Sequence, residues 1–435
     1  MCRSMKSSSS RHRLEQSLAR IADPKGEGAR ACLTVYTDAA RAAADAADAR
    51  AAVGVSLGPL DGTIVSIKDL FDVAGEPTRA GSKILAEEAA PAKADALVVR
   101  RLRAAGAVIV AKTNMTEFDF GAVGANPHFG TPSNPGDRAR VPGGSSAGAG
   151  VAAADGMCEI AVGTDTGGSV RIPAALCGIV GFKPTRQRVP THGAFPLSYS
   201  LDSIGPLAPS VADCAKADAV MAGQDFAPLV AAELAGLRFG IPEGLLLDKL
   251  DDVVVEAFDA AIKRLAAAGV RFVREKISLF EEVAAHNAYG GISQSEAYAI
   301  HRDRLKRRSA DIDPNVRPRL ERGATISAAD YVDTVRARAR LAAAMDLRLA
   351  QFDALTLPTS PIIAPTIAEI ADPKTYIARN LMLLRNTSPV NFCELCAISL
   401  PLPAALPVGL MLVARNGQDH ALLRIAAAVE QLLAN

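Results

Sequence analysis

The sequence has few aromatic residues and no excess of charge of either sign. Tryptophan is absent and aromatic residues make up 4% of the 435 residues, so nothing indicates a large pocket built for stacking. Lysine and arginine number 48, against 47 aspartate and glutamate residues, whereas nucleic-acid-binding proteins usually carry a basic field. We therefore expect no direct nucleic-acid partner.

Long apolar runs and a disulfide framework are also missing. No run of 18 apolar residues occurs, so we expect no membrane-spanning helix and no membrane partner. Residues 1–12 are polar, with a serine tract and no apolar signal-peptide segment after them, and we expect a disordered tail there. Seven scattered cysteines do not form a disulfide framework, which favours a cytoplasmic protein. We interpret Cys393 and Cys396 as buried thiols.

Motifs for metals, phosphates and dinucleotides are absent or weak. The sequence has no GxxxxGK[ST] loop and no HExxH site. Six histidines are dispersed and none lies in a GxSxG context, which gives no support to a Ser-His-Asp hydrolase. Gly148, Gly150 and Ala153 match the spacing of a dinucleotide fingerprint, but no strand precedes them. We expect no metal and no cofactor.

Two glycine-flanked serine sites stand out instead, GGSS at 143–146 and GGS at 167–169. Glycine lets the backbone approach a ligand closely and leaves the amide N–H groups open. A serine hydroxyl must pass its proton to a base when it attacks. Lys68 follows the apolar segment 63–67, and partial burial there would lower the lysine pKa, as a base requires. Lys112 is the rival base, and we interpret it as an ordinary strand-end lysine.

Residues 141–185 closely resemble the amidase signature of the Ser-cisSer-Lys amidohydrolases. The two serines are 24 positions apart, which is the family's spacing, and the resemblance is strongest over about 58–215. It implies that Ser169, in GTDTGGS, is the nucleophile that forms the acyl-enzyme. It implies that Ser145, after a cis peptide bond, is the proton relay, and that Lys68, in GTIVSIKDLFDVAG, is the base.

The same resemblance suggests the rest of the site. Backbone N–H groups of a glycine-rich turn would form the oxyanion hole, and the turn consists of Thr166, Gly167, Gly168 and Ser169. Asp165 and Arg171 are interpreted as a pair that braces this turn, although Arg171 could instead meet a substrate carboxylate. Ser146 is a supporting position. The long loop after Lys112 and the first glycine pair are predicted to bind substrate through Met115, Phe118, Phe120, Gly143 and Gly144.

Alternating helices and strands from Pro59 onward predict an α/β fold. We expect one compact domain, residues 13–435, with a central mixed, mainly parallel β-sheet covered by helices on both faces. Its signature core would span about 58–215, and a helical substrate-side region about 243–350. The strands predicted before Pro206 are 63–68, 107–112, 159–163 and 178–182, and those after it are 354–357, 397–400 and 409–414.

Two functions fit these residues. The first is a free-standing amidase that converts a small-molecule amide into a carboxylate and ammonia or an amine, with a homodimer as a possible assembly. The second is the glutamine-hydrolysing A subunit of a tRNA-dependent amidotransferase complex. After the nucleophile the chain reads SVRIPA, where subunit-type proteins favour SIRQPA, so the sequence favours the free-standing enzyme. The acyl group and the leaving group stay open.

Overall fold

The computed structural model describes residues 8–287 and 291–434. Within them the chain builds one sheet of 11 strands in the order β1-β3-β2-β4-β6-β5-β10-β11-β9-β7-β8. The strands are β1 Cys32–Val35, β2 Ile64–Lys68, β3 Val108–Thr113, β4 Ile160–Thr164, β5 Val180–Lys183, β6 Ile204–Ala208, β7 Arg238–Glu243, β8 Arg271–Lys276, β9 Ala354–Pro358, β10 Cys396–Leu402 and β11 Val408–Ala414.

Neighbouring strands of this sheet pair in both directions. Strand β2 is parallel to β3 and β4, and β7 is parallel to β8 and β9. The other six neighbouring pairs in the described chain are antiparallel. The expected mixed sheet is confirmed, but parallel pairs are its minority. One reason is the short link 403–407, because a connection of that length makes a hairpin and cannot carry a parallel crossover.

Helices cover both faces of the sheet, as expected. Along β2, Ile64 packs in one apolar cluster with residues of α1, α3 and α6, whereas Val65 and Ile67 pack in another with residues of α5, α8 and α16. This alternation follows from the two-residue period of a strand. The helices are α1 Ser10–Ala22, α2 Gly28–Ala31, α3 Thr37–Ala52, α4 Lys83–Glu88, α5 Leu97–Ala104, α6 Ala147–Ala154, α7 Arg171–Cys177, α8 Val211–Ala222, α9 Asp252–Ala267, α10 Leu279–Asn287, α11 Gly291–Arg308, α12 Arg317–Gly323, α13 Ala328–Leu349, α14 Pro373–Arg385, α15 Ser388–Phe392 and α16 Asp419–Ala434.

The first helix begins earlier than the sequence suggested. Helix α1 starts at Ser10, inside the segment 1–12 that was expected to be a disordered tail. Its cap is Ser9, whose side chain accepts a hydrogen bond from the backbone N–H of His12. The backbone N–H of Ser10 also donates to Asp48 on α3, at 2.7 Å. A cap and a tertiary contact together fix this turn, while residues 1–7 of the predicted tail lie outside the described residues.

The region 243–350 is mainly helical and also extends the sheet. It contains α9 to α13, and between α9 and α10 lies β8, which pairs in parallel with β7 at the sheet edge. None of the described helices is long and apolar enough to cross a membrane. The cysteines of the described chain are free and buried. Burial raises the pKa of the Cys393 thiol to about 12, which fits the interpretation as a buried thiol.

Candidate active site

The three predicted catalytic side chains come from three ends of secondary structure. Lys68 is the last residue of β2, Ser145 lies just before α6, and Ser169 lies between β4 and α7. Lys68 and Ser145 are fully buried, whereas Ser169 is 4% exposed. Ser169 lines a cleft of about 300 Å³. The fold therefore places Ser169 at the cleft and buries Lys68 and Ser145 beneath the cleft lining.

A hydrogen-bonded cluster surrounds the Lys68 ammonium position. Its Nζ lies 2.8 Å from Ser145 Oγ and 2.8 Å from Thr164 Oγ1, and it contacts the carboxylate of Asp119. Ser145 Oγ also contacts Asp119 Oδ1, and Thr164 Oγ1 donates to Asp119 Oδ2 at 2.9 Å. Burial lowers the pKa of Lys68, and the Asp119 carboxylate opposes that shift.

Sequence reasoning missed Asp119 although it named both neighbouring residues. Phe118 and Asp119 have φ of +53° and +64°, a conformation that is uncommon for residues with a Cβ and is found most often at functional sites. It allows Phe118 to pack 4.0 Å from the ring of His301 while Asp119 contacts Lys68. The sequence feature that could have indicated Asp119 is a charged residue between two phenylalanines, in the segment FDF.

The predicted substrate-binding residues divide between the core and the cleft. Phe120 lines the cleft. Met115 and Phe118 are fully buried in the apolar core instead, because apolar side chains on this loop gain more from core contacts than from a solvent-filled cleft. Gly143 and Gly144 are also buried; the peptide bond between Gly144 and Ser145 is cis. These two glycines belong to the buried backbone that leads into Ser145, and they do not form part of the cleft wall.

The turn 166–169 forms the end of the cleft. Thr166, Gly167 and Ser169 line it, and the backbone N–H groups of 167–169 donate to no acceptor in the part of the chain that the structure describes. Gly168 has φ of +137°, a conformation that side chains rarely adopt. Thr387 Oγ1 holds the turn by donating to the carbonyl oxygen of Gly167 at 2.6 Å. Open N–H groups in a fixed turn are the geometry an oxyanion hole requires.

A buried ion pair supports this turn. Arg171 Nη2 and Nε lie 2.9 and 3.0 Å from the two oxygens of Asp165, and both side chains are fully buried. Arg171 also donates to the Thr387 carbonyl and to Asn391 Oδ1, at 3.1 and 2.7 Å. Despite the cost of burial, the Arg171 guanidinium holds the pKa of Asp165 at about 2. Arg171 is therefore fully engaged by Asp165, Thr387 and Asn391, and it is not among the residues that line the cleft.

Two further positions named from the sequence are Ser146 and Lys112. Ser146 Oγ donates to the Thr164 carbonyl at 3.3 Å, and its N–H donates to the Ser169 carbonyl at 3.4 Å, so it links the two serine segments. Lys112, the rival base, lies one residue before the end of β3, as interpreted from the sequence, and it is fully buried. Its Nζ lies 3.7 Å from Glu76, and burial lowers its pKa.

The wall of the cleft is mainly apolar with two arginines. The Arg319 guanidinium stacks 4.1 Å from the ring centroid of Phe120 and donates to the Phe120 carbonyl at 2.8 Å. Burial lowers the pKa of Arg319 to about 10, so it stays protonated at neutral pH. Over residues 8–287 and 291–434, no side-chain carboxylate lies within 4.0 Å of it. The second arginine, Arg385, donates to the carbonyls of Leu246 and Asp248.

Metal ligands are not clustered here. No group of three or more His, Cys, Asp or Glu side chains in the described residues has the geometry to hold a metal ion. Instead, Ser169 and the turn with the open N–H groups line the cleft, together with Asp119, which contacts Lys68 and Ser145 behind the lining. A serine beside open backbone N–H groups in a cleft is typical of a hydrolase.

Comparison with known proteins gives the family. The family model named Amidase matches residues 13–423, and the chain belongs to this family. It is 38% identical to a 2-amino-5-chloromuconic acid deaminase of Comamonas testosteroni over 401 residues, which cover 91% of this chain and 86% of the relative. It is 37% identical to the glutamyl-tRNA(Gln) amidotransferase A subunit of Halobacterium salinarum over 420 residues, covering 87% and 97%.

Other relatives agree in sequence and in fold. A 1-carboxybiuret hydrolase subunit of a Pseudomonas species is 35% identical over 444 residues, covering 97% of this chain and 95% of the relative. The crystal structure of an amidase superposes with a TM-score of 0.87 at 33% identity, covering 98% of this chain and 96% of that one. The predicted family and fold class are confirmed, and the relatives include both amidases and amidotransferase subunits.

Proposed function

We propose that the protein is a free-standing amidohydrolase, in which Ser169 forms an acyl-enzyme and a relay through Ser145 and Lys68 moves the proton. The observation that carries this proposal is the contact of 2.8 Å between Lys68 Nζ and Ser145 Oγ, both buried, next to a cleft lined by Ser169. A nucleophile, a relay hydroxyl and a titratable group in this order are what activation of a serine needs.

The reaction follows from this arrangement in two stages. Ser169 Oγ attacks the amide carbonyl carbon while its proton passes to Ser145, and Ser145 passes its own proton into the cluster around Lys68. The open N–H groups of 167–169 hold the oxyanion. The proton then returns to the leaving nitrogen as the C–N bond breaks, which gives ammonia or an amine and the Ser169 ester. Water cleaves this ester by the same proton path and releases the carboxylate.

The charges of the cleft favour an amide that carries a carboxylate group. Arg319 lines the cleft, and no carboxylate of the described chain neutralises it. A guanidinium forms strong paired hydrogen bonds with a carboxylate. The names of two relatives, 2-amino-5-chloromuconic acid deaminase and 1-carboxybiuret hydrolase, also denote acidic substrates. We therefore assign the carboxylate of the substrate to Arg319.

The alternative is a glutamine-hydrolysing subunit of an amidotransferase, since such subunits are among the relatives. Glutamine brings an ammonium group besides its carboxylate, and an ammonium group needs an acceptor. Asp119 is the carboxylate that lines the cleft, and it already contacts Lys68, Ser145 and Thr164. The cleft is therefore better suited to an anionic amide than to a zwitterion.

A substrate panel tests this function directly. The purified protein is incubated with matched amides that carry or lack a carboxylate, and with glutamine, while the release of ammonia and amines is measured. We expect turnover of carboxylate-bearing amides by the protein alone and none by Ser169→Ala. An activated acyl or organophosphorus probe should label one peptide, the one containing Ser169. Hydrolysis confined to glutamine, or a label on Ser145 or Ser146, would contradict the proposal.

A further inference from the structure

We propose that Glu117 is a positioning residue for Arg319, and that the charge of His128 keeps Glu117 in place. The proposal rests on the proposed function, in which Arg319 binds the carboxylate of the substrate. Glu117 is not among the residues that line the cleft. It holds the segment that leads into α12, the helix that carries Arg319. Selectivity for anionic amides then depends on a carboxylate that does not touch the substrate.

The contact between Glu117 and the segment before α12 is direct and buried. Glu117 Oε2 accepts a hydrogen bond from the backbone N–H of Asp313 at 2.6 Å, and both residues are 0% exposed. The Asp313 carbonyl accepts from the N–H groups of Val316 and Arg317, each at 2.9 Å, so Asp313 closes the turn from which α12 begins. A hydrogen bond to a charged acceptor is stronger than one to a neutral acceptor. Glu117 therefore fixes the residue that starts this helix.

The loop that carries Glu117 holds α12 at a second point. Phe120, three residues later, accepts a hydrogen bond from Arg319 on its carbonyl oxygen at 2.8 Å and stacks against its guanidinium. Val316 and Leu320 are fully buried in the same apolar cluster as Phe120. These apolar contacts keep α12 on the core without Glu117, whereas the two polar contacts fix where the guanidinium lies. Loss of Glu117 should therefore misplace Arg319 rather than unfold the helix.

His128 supplies an opposite charge to Glu117. Its Nε2 lies 3.2 Å from Glu117 Oε2, and its side chain is 14% exposed. Asn126 holds the loop that presents this imidazole, since its Oδ1 accepts from the His128 N–H at 2.8 Å while its Nδ2 donates to the Met115 carbonyl at 2.7 Å. The Glu117 carboxylate raises the pKa of His128 above its ordinary 6.5, although partial burial opposes this shift. The imidazolium and the carboxylate therefore form a pair in a fixed loop.

His128 also interacts with the side chain of Asp313. The negative charge of Asp313 favours protonated His128, and Lys83 on α4 acts against it. Lys83 Nζ itself lies 3.3 Å from Asp311. Burial, and to a smaller extent the charge of Glu117, raises the pKa of Asp313. His128 is thus a cation beside two buried carboxylates, which repel each other when it loses its proton.

Deprotonation of His128 weakens this arrangement. While His128 is protonated, Glu117 keeps its contact with Asp313, and Arg319 stays in place. As the pH rises through the pKa of His128, the two carboxylates lose their shared cation, and their repulsion moves the segment of Asp313 away from Glu117. Arg319 itself stays protonated, because its pKa is about 10. The preference for carboxylate-bearing amides should therefore decline above the pKa of His128, although the charge of Arg319 is unchanged.

The test measures kcat/KM for two matched amides, one with and one without a carboxylate, and takes their ratio. Lys68 and Asp202 also titrate, since burial lowers the pKa of Lys68 and raises that of Asp202 to about 7. They act on the reacting end of both amides, so their effects cancel in the ratio. Glu117→Ala removes the acceptor and should reduce the ratio roughly 10-fold or more. An unchanged ratio would overturn the proposal.

Two further variants separate the hydrogen bond from the charge. Glu117→Gln keeps an oxygen that can accept from Asp313, but it leaves no charge for His128 to balance. We expect most of the lost ratio to return and its decline with pH to disappear, whereas a ratio as low as that of Glu117→Ala would contradict the proposal. His128→Gln should show, at low and high pH alike, the reduced ratio that the wild type reaches at high pH. A pH dependence that persists in His128→Gln would also contradict it.

Asp218→Asn is the matched control for loss of a buried carboxylate. Asp218 is 1% exposed, lies 2.7 Å from Arg188 and is not among the residues that line the cleft. Its ratio should equal that of the wild type. Thermal melts accompany the kinetics of every variant. If Glu117→Ala does not fold, the ratio of His128→Gln decides, because that side chain is partly exposed and its loss leaves no cavity in the core.

The outcomes also separate this proposal from the proposed function. If the wild type shows no preference for carboxylate-bearing amides, the assignment of the substrate carboxylate to Arg319 is wrong, and the proposed substrate class with it. If the wild type prefers these amides and the variants of Glu117 and His128 keep that preference at every pH, only the positioning role of Glu117 is wrong.

Discussion

Substitution of Gly168 tests whether the turn 166–169 acts as an oxyanion hole, and the neighbouring Gly167 serves as its control. At Gly168, φ is +137°, and an added Cβ would lie 2.2 Å from Thr387 Oγ1 and 2.6 Å from Ile172 Cδ1. At Gly167 an added Cβ would lie 3.3 Å from the end of the Leu384 side chain and 3.7 Å from Ser388. Alanine is therefore strained and blocked at the first position and nearly accommodated at the second.

The expected size of the effect follows from this geometry. The backbone conformation alone costs an alanine at Gly168 about 1–3 kcal/mol, a fraction of a typical stability of about 5–15 kcal/mol, so the variant should still fold. Thr387 must move, and with it the hydrogen bond that holds the Gly167 carbonyl. A displaced oxyanion donor costs roughly 100- to 1000-fold in kcat.

The assay compares Gly168→Ala and Gly167→Ala in kcat, in the rate of Ser169 labelling by an acyl probe, and in thermal stability. We expect a loss of about 100-fold or more in kcat for Gly168→Ala and a much smaller loss for Gly167→Ala. Both proteins should show cooperative melts. Similar kcat values for the two variants would refute the reasoning, because they would mean that neither strain nor the position of Thr387 matters to the turn.

Three other outcomes are expected. Arg319→Gln should raise KM for carboxylate-bearing amides roughly 10- to 100-fold, which corresponds to the loss of a hydrogen bond to a charged group. It should barely change KM for uncharged amides. Equal effects on both kinds of amide would mean that Arg319 does not bind the substrate carboxylate. Arg171→Met leaves Asp165 buried without its partner and should lower the free energy of unfolding by about 3–5 kcal/mol. Because the folded-state pKa of Asp165 is about 2, below its ordinary 3.8, the wild type keeps this stabilisation above pH 4 and loses it as the pH falls toward 2. The difference between the two proteins should therefore be largest near neutral pH and shrink in acid, which denaturant titrations at several pH values can measure. Lys68→Met should abolish turnover and destabilise the protein, because it leaves the Asp119 charge buried without its partner. Adding Asp119→Asn removes that charge and should restore part of the stability but not the activity. If the stability losses of the two substitutions simply added in thermal melts, the two side chains would not form a direct pair.

The fold was predictable where a strand consists mainly of apolar residues. Strands β2, β3 and β4 are buried at every position, and their sequences are mainly apolar before a polar end. Two of the four strands that were not predicted, β6 and β8, contain residues that disfavour a strand assignment. Strand β6 reads IGPLA, with a glycine and a proline, and β8 reads RFVREK at a half-exposed sheet edge. Their place in the sheet is fixed by neighbouring strands rather than by local preference.

The residues of the candidate site also divide into those that could be predicted from the sequence and those that could not. Ser145, Ser169, Arg171 and Asp165 lie within one short stretch, 141–185, so its resemblance to the amidase signature was enough to select them. Asp119 was missed because its role depends on a backbone turn that brings it to Lys68, 51 positions away. Phe118, in contrast, was assigned to the cleft and lies in the core. On an irregular loop no period indicates which side of the chain each side chain faces.

The contacts of Arg171 also determine when during synthesis the serine turn gains its full support. Its partners Thr387 and Asn391 follow it by 216 and 220 positions, and a ribosome needs about 10–40 s to translate such a stretch. During that interval the serine turn is already made, but it lacks the residues that hold it from the other side. A nascent chain therefore carries Ser169 long before it carries the residues that complete the support of its turn. We expect activity only after nearly the whole polypeptide has left the ribosome.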